Sequence, residues 1–362
     1  MLQNCSRCET IPNKIEGKGT LYLWFPVGHT TAKVISVLDK INQNYQMLED
    51  NEGCKVSYDT NNEELVNLLA TKLTNKELKE TQALWILGTE EPQFRDFSRV
   101  TSLHNFISLN KAEWLLDLLA SERLTCHFQP IVYAEDTSKI FAQEALLRGF
   151  DEQGNLISPG RIFSHANDAG LVFKLDALAR QIAIREANQH GIESLIFINF
   201  SPTAVYDPTT CLRMTVRAIN EVGIPHDRVV FEVMESEQPP DIKHLIKILR
   251  FYQDAGFQIA LDDFGTGYSN LNLITELSPN FIKLDRHLIS NIDRDPHKAL
   301  ITQKLLEIAQ HLQIQTIAEG VETVEELNWA QEHKANFIQG FLIAKPQSPP
   351  VTTTPNIKPK SS

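Results

Sequence analysis

From Thr125 to about Pro346 short apolar runs alternate with longer amphipathic stretches, and this alternation restricts the fold more than any other feature of the chain. The predicted strands are Cys126–Val132, Ile140–Leu147, Leu195–Phe200, Val229–Met234, Gln258–Leu261, Phe281–Leu284, Gln315–Ala318 and Asn336–Leu342. Between most of them lie helix-period segments, Leu171–Asn188, Thr209–Val222, Ile242–Ala255, Ala299–Leu312 and Val324–His333. Such alternation builds parallel βαβ units with right-handed crossovers and helices outside the sheet. The first two strands are joined by a segment too short for a crossover, so they pair as an antiparallel hairpin. Eight strands in about 220 residues predict an α/β fold, a TIM-type (β/α)8 barrel with a reversed first strand. An open doubly wound sheet is the alternative.

The remainder divides by pattern. Residues 1–18 read as a flexible segment carrying Cys5-x-x-Cys8. Residues 19–104 alternate as strand Thr20–Phe25, helix Thr31–Asn42, strand Cys54–Tyr58, helix Glu63–Leu73 and strand Ala83–Leu87, a small α/β domain and a candidate sensory or regulatory unit. Residues 105–123 read as a connecting helix, 124–347 as the barrel and 348–362 as a disordered tail too poor in apolar residues to pack. The stripe Trp114–Leu119 reads as helix core, because no cationic rim supports a membrane-surface face. No run approaches the roughly 18 apolar residues of a spanning helix. The first residues lack a basic-then-apolar leader profile, so the expected compartment is the cytoplasm.

Charge narrows the ligands. Lys plus Arg minus Asp plus Glu is 34 − 46 = −12, with no basic stripe, which excludes long nucleic acid as a partner. A small phosphorylated ligand is admissible if metal ions or a few placed cations offset the negative field. Five cysteines, an odd number, argue against a secreted disulfide scaffold. Cys5 and Cys8 are either half of a zinc or redox site or two reduced thiols on a flexible end. Cys54, Cys126 and Cys211 complete no second pair at ligand spacing, so a metal there needs a dimer or His ligands such as His29.

Barrel strands should read as nearly continuous Val, Ile and Leu. Yet the second to eighth predicted strands each carry polar residues at or near the carboxyl end: Glu144 and Arg148, Asn199, Glu232 and Glu235, Asp262 and Asp263, Lys283 and Asp285, Glu319 and Glu322, and Gln339. In a parallel barrel those ends converge on one face, where barrel enzymes place their chemistry. Any one of them reads equally well as a cap or ion-pair residue. Among them Glu144, Glu232, Asp262, Asp263 and Glu319 with Asn199 gather five carboxylates and an amide beside Lys283, and mutual repulsion would keep several acids protonated unless divalent cations bind. All-oxygen ligation favours Mg²⁺ or Mn²⁺ over zinc. Two metals sharing a carboxylate form a template for phosphate-ester hydrolysis, with a lysine near the attacking water. Residue chemistry reaches that reaction class and not the substrate.

The strings Phe128-Gln129-Pro130-Ile131, Glu144-Ala145-Leu146-Leu147-Arg148, Asn199-Phe200-Ser201-Pro202, Glu232-Val233-Met234-Glu235, Asp262-Asp263-Phe264-Gly265-Thr266-Gly267-Tyr268, Lys283-Leu284-Asp285, Glu319-Gly320-Val321-Glu322 and Gln339-Gly340-Phe341 resemble, in order, the EAL family of cyclic-di-GMP phosphodiesterases over residues 122–347. The resemblance implies hydrolysis of cyclic-di-GMP to linear 5′-pGpG with two Mg²⁺ or Mn²⁺ per site. It implies that Glu144, Asn199, Glu232 and Asp262 hold the first metal. Asp262 would bridge to the second, held by Asp263 with help from Glu319. Lys283 would contact the nucleophilic water, with Glu319 and Gln339 positioning it. Arg148 would meet a substrate phosphate, and Gln129 with Leu146 and the backbone near Pro346 would border the substrate. The loop Asp263–Asn270, including Phe264, Gly265, Thr266 and Gly267, would control metal binding and dimer contact, braced by Glu235. Met234, Gly149 and Phe341 depart from the family pattern without removing a ligand. A homodimer is implied, and a protein partner through the amino-terminal domain is conceivable. The alternatives are a catalytically silent cyclic-di-GMP receptor and an interaction adaptor. His127 reads as a rim side chain, and Asp176 with Arg180 as a helix-surface pair worth a few tenths of a kcal/mol, with packing against the barrel as the alternative.

Overall fold

The computed structural model describes residues 16–49, 52–88, 91–121, 123–201, 208–234, 242–265 and 271–357. Chain contacts separate two compact units. The amino-terminal unit opens with β1 (Lys18–Trp24), α1 (Gly28–Lys40), β2 (Tyr45–Met47), β3 (Gly53–Asp59), α2 (Glu64–Lys72), α3 (Asn75–Glu80) and β4 (Gln82–Leu87). A 3-10 turn (Phe94–Arg99), β5 (Thr101–Ser102), α4 (Leu103–Lys111) and α5 (Glu113–Ala120) follow. The sheet order is β2-β3-β1-β4-β5 and every pairing is antiparallel, a split βαββαβ arrangement. Alternation does the sorting: Leu21, Leu23, Val56 and Trp85 point to the helices, whereas Tyr22, Leu84 and Ile86 form a second, smaller cluster.

Residues 105–123 are not one connecting helix. The chain breaks at Ala112 between α4 and α5, and Leu103, Phe106 and Ile107 complete the small unit's core. Leu115, Leu116, Leu118 and Leu119 are buried, as the core reading of that stripe requires.

The chain goes on with β6 (Leu124–Tyr133) and β7 (Ile140–Phe150), then β8 (Leu156–Ile157), α6 (Pro159–Asp168), α7 (Val172–Gln189), β9 (Leu195–Asn199), α8 (Pro208–Val222) and β10 (Val229–Met234). It continues through α9 (Ile242–Asp254), β11 (Gln258–Phe264), α10 (Leu271–Leu277), β12 (Phe281–Leu284), α11 (Arg286–Ile289), α12 (Pro296–His311), β13 (Gln315–Ala318), α13 (Val324–Glu332) and β14 (Phe337–Ile338). Residues Ile157–Leu175, placed inside the barrel by the sequence pattern, group with the amino-terminal unit instead. There Trp114 of α5 meets α6, with the Arg161 guanidinium 4.8 Å above its ring and His165 edge-on.

Strands run β6-β14-β13-β12-β11-β10-β9-β7, and β7 pairs back to β6, so the sheet closes on eight strands. Only the pairings of β6 within the barrel are antiparallel, which confirms the reversed first strand. Each strand contributes one residue to an interior apolar layer: Ile131, Ala142, Phe197, Val230, Ala260, Phe281, Ile317 and Phe337. No helix among the described residues is long and apolar enough to cross a membrane.

The tail also departs from expectation. Residues through Ile357 are packed, because backbone groups replace the missing apolar contacts. Thr137, at 1% exposure, donates its hydroxyl to the Pro355 carbonyl (2.7 Å) and accepts from the Ile357 amide (2.8 Å). Gln143 donates to Val351 O (3.0 Å) and Ile357 packs against the barrel core. Thr137→Val leaves two backbone groups unpaired, and we expect it to cost about 1–3 kcal/mol in denaturant unfolding. Faster proteolytic cleavage within 348–357 should accompany that loss.

Candidate active site

Side chains on a strand alternate faces, so the residue two places beyond each interior apolar residue points inward one layer higher. Reading the interior layer forward by two gives Glu144 from Ala142, Asn199 from Phe197, Glu232 from Val230, Asp262 from Ala260, Lys283 from Phe281, Glu319 from Ile317 and Gln339 from Phe337. On the reversed strand the step is backward, from Ile131 to Gln129, which stands opposite Glu144 in register. The polar set is therefore the next storey of the barrel.

Lys283 occupies its centre, 1% exposed. Its Nζ lies 2.5 Å from Glu232 Oε1, 2.7 Å from Glu319 Oε1, 3.2 Å from Asp262 Oδ1 and 3.6 Å from Glu144 Oε2. Burial alone would pull the ammonium's pKa down, but the carboxylates of Asp262, Glu144, Glu232 and Glu319 outweigh it and hold the pKa well above its ordinary value. Burial pushes the Glu232 carboxyl well up, reinforced by Glu144 and opposed by Lys283. Glu319 is raised well above its usual range for the same first reason, with Lys283 opposing and Asp262 and Glu144 adding to it. One cation thus faces more negative charge than it can neutralise.

The amides organise the acids. Gln339 donates to Glu144 Oε2 (2.6 Å) and lies 3.4 Å from Gln129 Oε1, while Gln129 donates to the Ala344 carbonyl (3.1 Å). Asn199 Nδ2 is 3.4 Å from Glu144 Oε1. Gln339 can sit this deep because Gly340 follows it: a Cβ there would lie 2.0 Å from the Val321 carbonyl.

A regular strand would send Asp263 to the face opposite Asp262. The register between β11 and β12 shifts between Leu261 and Phe264, and Asp263 takes φ +54°. Such a bulge re-aims side chains at a cost of roughly 1–2 kcal/mol for a left-handed non-glycine residue. The outcome is that Asp262, Asp263 and Glu319 each bring an oxygen within 4.8 Å of the others, enough to hold a metal ion. Burial raises the Asp263 carboxyl to about 6, helped by Asp262 and Asp285. Glu232 Oε2 is buried with no hydrogen-bond partner among the described residues. An all-oxygen donor set with excess charge and an unpartnered buried acceptor fits divalent cations.

Gln129 is buried, Leu146 and Pro346 are half-exposed, and Arg148 is half-buried with its guanidinium on the Leu147 carbonyl (2.8 Å). The backbone at Phe128 pairs with Gln347, which holds residues 344–347 along β6. His127 is a half-buried side chain whose pKa is lowered by burial and by nearby Arg148. Phe264 is buried, and Gly265 has φ +102° with its missing Cβ position 2.5 Å from Leu288 Cδ1. Glu235, Thr266, Gly267 and the Cys5–Cys8 pair lie outside the described residues. His29 lies 3.5 Å from Glu77.

Two features were noticed in the sequence without a role in the site. Asp285 interacts with Asp263 and caps α11 by accepting from the His287 amide (2.7 Å); its signal was the spacing of two from Lys283. Asp176 and Arg180 do not form a surface pair: both are buried, at 6% and 3%.

These elements match a known pattern. The family model for the EAL domain matches residues 112–346. The chain belongs to the EAL-domain family. It is 33% identical over 232 residues to a probable cyclic di-GMP phosphodiesterase, PdeG, of Escherichia coli, covering 60% of this chain and 44% of that protein. A standalone versatile EAL protein from Vibrio cholerae, solved with cyclic di-GMP bound, is 36% identical, covers 64% of this chain and 95% of its own, and has a TM-score of 0.59. The PaMucR phosphodiesterase complex with cyclic di-GMP is 28% identical with the same coverages and TM-score. The chain thus spans less than half the length of PdeG.

Two outcomes test the electrostatics. Lys283→Met leaves buried carboxylates uncompensated and should cost about 3–5 kcal/mol at neutral pH. The deficit should shrink as acid protonates them, which denaturant titrations at several pH values would show. Asp263 keeps its proton to about pH 6 when folded, against 3.8 for the ordinary carboxyl. Unfolding therefore releases a proton in that window, so metal-free stability should fall as pH rises through it. Asp263→Asn should flatten that part of the profile.

Proposed function

We propose that the protein hydrolyses cyclic-di-GMP to linear 5′-pGpG and so lowers the level of this messenger. The observation that carries the reading is the complete polar storey, with Glu144, Asn199, Glu232, Asp262, Lys283, Glu319 and Gln339 on successive barrel strands around one ammonium. Relatives named as cyclic di-GMP phosphodiesterases and a related structure with that ligand bound support the substrate.

Glu144, Asn199, Glu232 and Asp262 would hold one Mg²⁺ or Mn²⁺, and Asp262, Asp263 and Glu319 the other. When bound, the cations would supply charge neutralisation for the phosphodiester and lower the pKa of the attacking water. Lys283 holds the carboxylates together and donates hydrogen bonds toward that water. Gln339 fixes the Glu144 carboxylate through its amide. Arg148 turns its planar guanidinium to a substrate phosphate, a geometry suited to two oxygens. Gln129, Leu146 and the backbone near Pro346 border a guanine. The protein acts in this reading as a cytoplasmic homodimer, with the small antiparallel domain as its regulatory surface.

Purified protein incubated with cyclic-di-GMP and Mn²⁺ or Mg²⁺ should accumulate linear pGpG on chromatography. EDTA should abolish turnover, and Glu144→Ala and Asp262→Ala should each reduce it by at least about 100-fold. Undiminished rates in either variant would remove these roles, and tight binding without cleavage would make the chain a receptor.

A further inference from the structure

The buried pair on α7 faces the outer side of the site rather than solvent. Strand β9 ends at Asn199, where its ladder with β10 stops. The next amide, of Phe200, donates to the Glu232 carbonyl (2.9 Å). The one after it, of Ser201, has left the ladder and donates to Asp176 Oδ1 (3.0 Å). Asp176 Oδ2 in turn takes the Arg180 guanidinium, whose Nε donates to Thr215 Oγ1 on α8 (3.1 Å) and whose face lies 5.2 Å from the centre of the Phe200 ring. Asp176, Arg180, Thr215 and Phe200 are all buried.

A buried ion pair is a poor stabiliser, since apolar residues of similar volume often serve a core as well or better. It does fix geometry, because each of its bonds has one direction. Here the fixed element is Phe200–Ser201, which follows Asn199 directly and is bonded through Phe200 to the backbone of Glu232. We infer that Asp176 is a positioning residue for the metal centre: its carboxylate clamps the Ser201 amide, with Arg180 holding the carboxylate, and thereby sets Asn199 and Glu232 at the distance a divalent cation needs. The inference rests on the proposed metal-dependent reading of the site. Partners behind metal ligands commonly govern affinity by about 10- to 100-fold when removed.

Two double variants separate positioning from packing. D176N/R180M keeps an acceptor for the Ser201 amide, and D176L/R180M offers none; both remove the buried charges, and Asn and Leu are close in size. The readouts are thermal unfolding without metal, Mn²⁺ binding by calorimetry, and pGpG formation. D176L/R180M should unfold at a lower temperature because the Ser201 amide loses its acceptor, so Mn²⁺ binding is compared at a temperature where both variants are folded. D176N/R180M should bind Mn²⁺ within about threefold of the wild-type protein, and D176L/R180M about 10- to 100-fold more weakly, with activity shifted to higher Mn²⁺ in proportion. Equal Mn²⁺ affinity in both variants would overturn the inference. Should the leucine variant fail to fold, D176A/R180M takes its place in the same comparison. A wild-type protein that neither binds Mn²⁺ nor cleaves cyclic-di-GMP would instead remove the metal-dependent reading itself.

Discussion

One lysine ammonium facing four carboxylates is the interaction on which this structure turns. Lys283 lies inside the barrel with Glu144, Glu232, Asp262 and Glu319 around it. None of the five could be buried alone, because an isolated charge in a protein interior costs several kcal/mol. Buried together they remain unbalanced, four acids to one base. Burial, with the neighbouring acids adding to it, raises the carboxyls of Glu232 and Glu319, and Glu232 Oε2 has no hydrogen-bond partner among the described residues. A site in this condition is a receptor for further positive charge, so the same residues that burden the fold define what it binds.

The barrel supplies the convergence. A closed sheet with period-two alternation lifts seven parallel-strand side chains and one from the reversed strand onto a common level above an apolar floor. Two local departures then finish the centre. The bulge at Asp263 brings a second carboxylate beside Asp262, and the missing Cβ of Gly340 lets Gln339 reach Glu144. Outside the strands, Asp176 accepts from the Ser201 amide two residues past Asn199, and Asp285 interacts with Asp263. The site is thus regular in its main layer and irregular only where an extra ligand or a deeper amide is required.

Most of this was legible in the sequence because it follows from periodicity. Strands and helices of the barrel, the hairpin that reverses the first strand, and the ring from Glu144 to Gln339 all come from alternation and loop length. The inward turn of Asp263 was only half legible: convergence of strand ends put it in the acid cluster, but alternation sends it outward, and the bulge that brings it in has no sequence signal. For Asp176 and Arg180 the surface reading failed and the packing alternative stands, because an i,i+4 pair looks the same on a wet face and a dry one; Thr215 and Phe200, which bury it, are distant in sequence. The tail misled for a related reason. Its order comes from backbone carbonyls and amides meeting Thr137 and Gln143, and such bonds leave no trace in composition. The break at Ala112 was equally hidden, because neither Gly nor Pro marks it in the sequence.

The central claim, that the charge imbalance around Lys283 is resolved by two divalent cations, is tested most directly by counting them. Equilibrium titration of metal-free protein with Mn²⁺, followed by electron paramagnetic resonance of the unbound ion, should give two ions per chain. Asp263→Asn should reduce the count to one, and Asp262→Ala should abolish tight binding. A stoichiometry of zero, or a count unaffected by either substitution, would contradict the account.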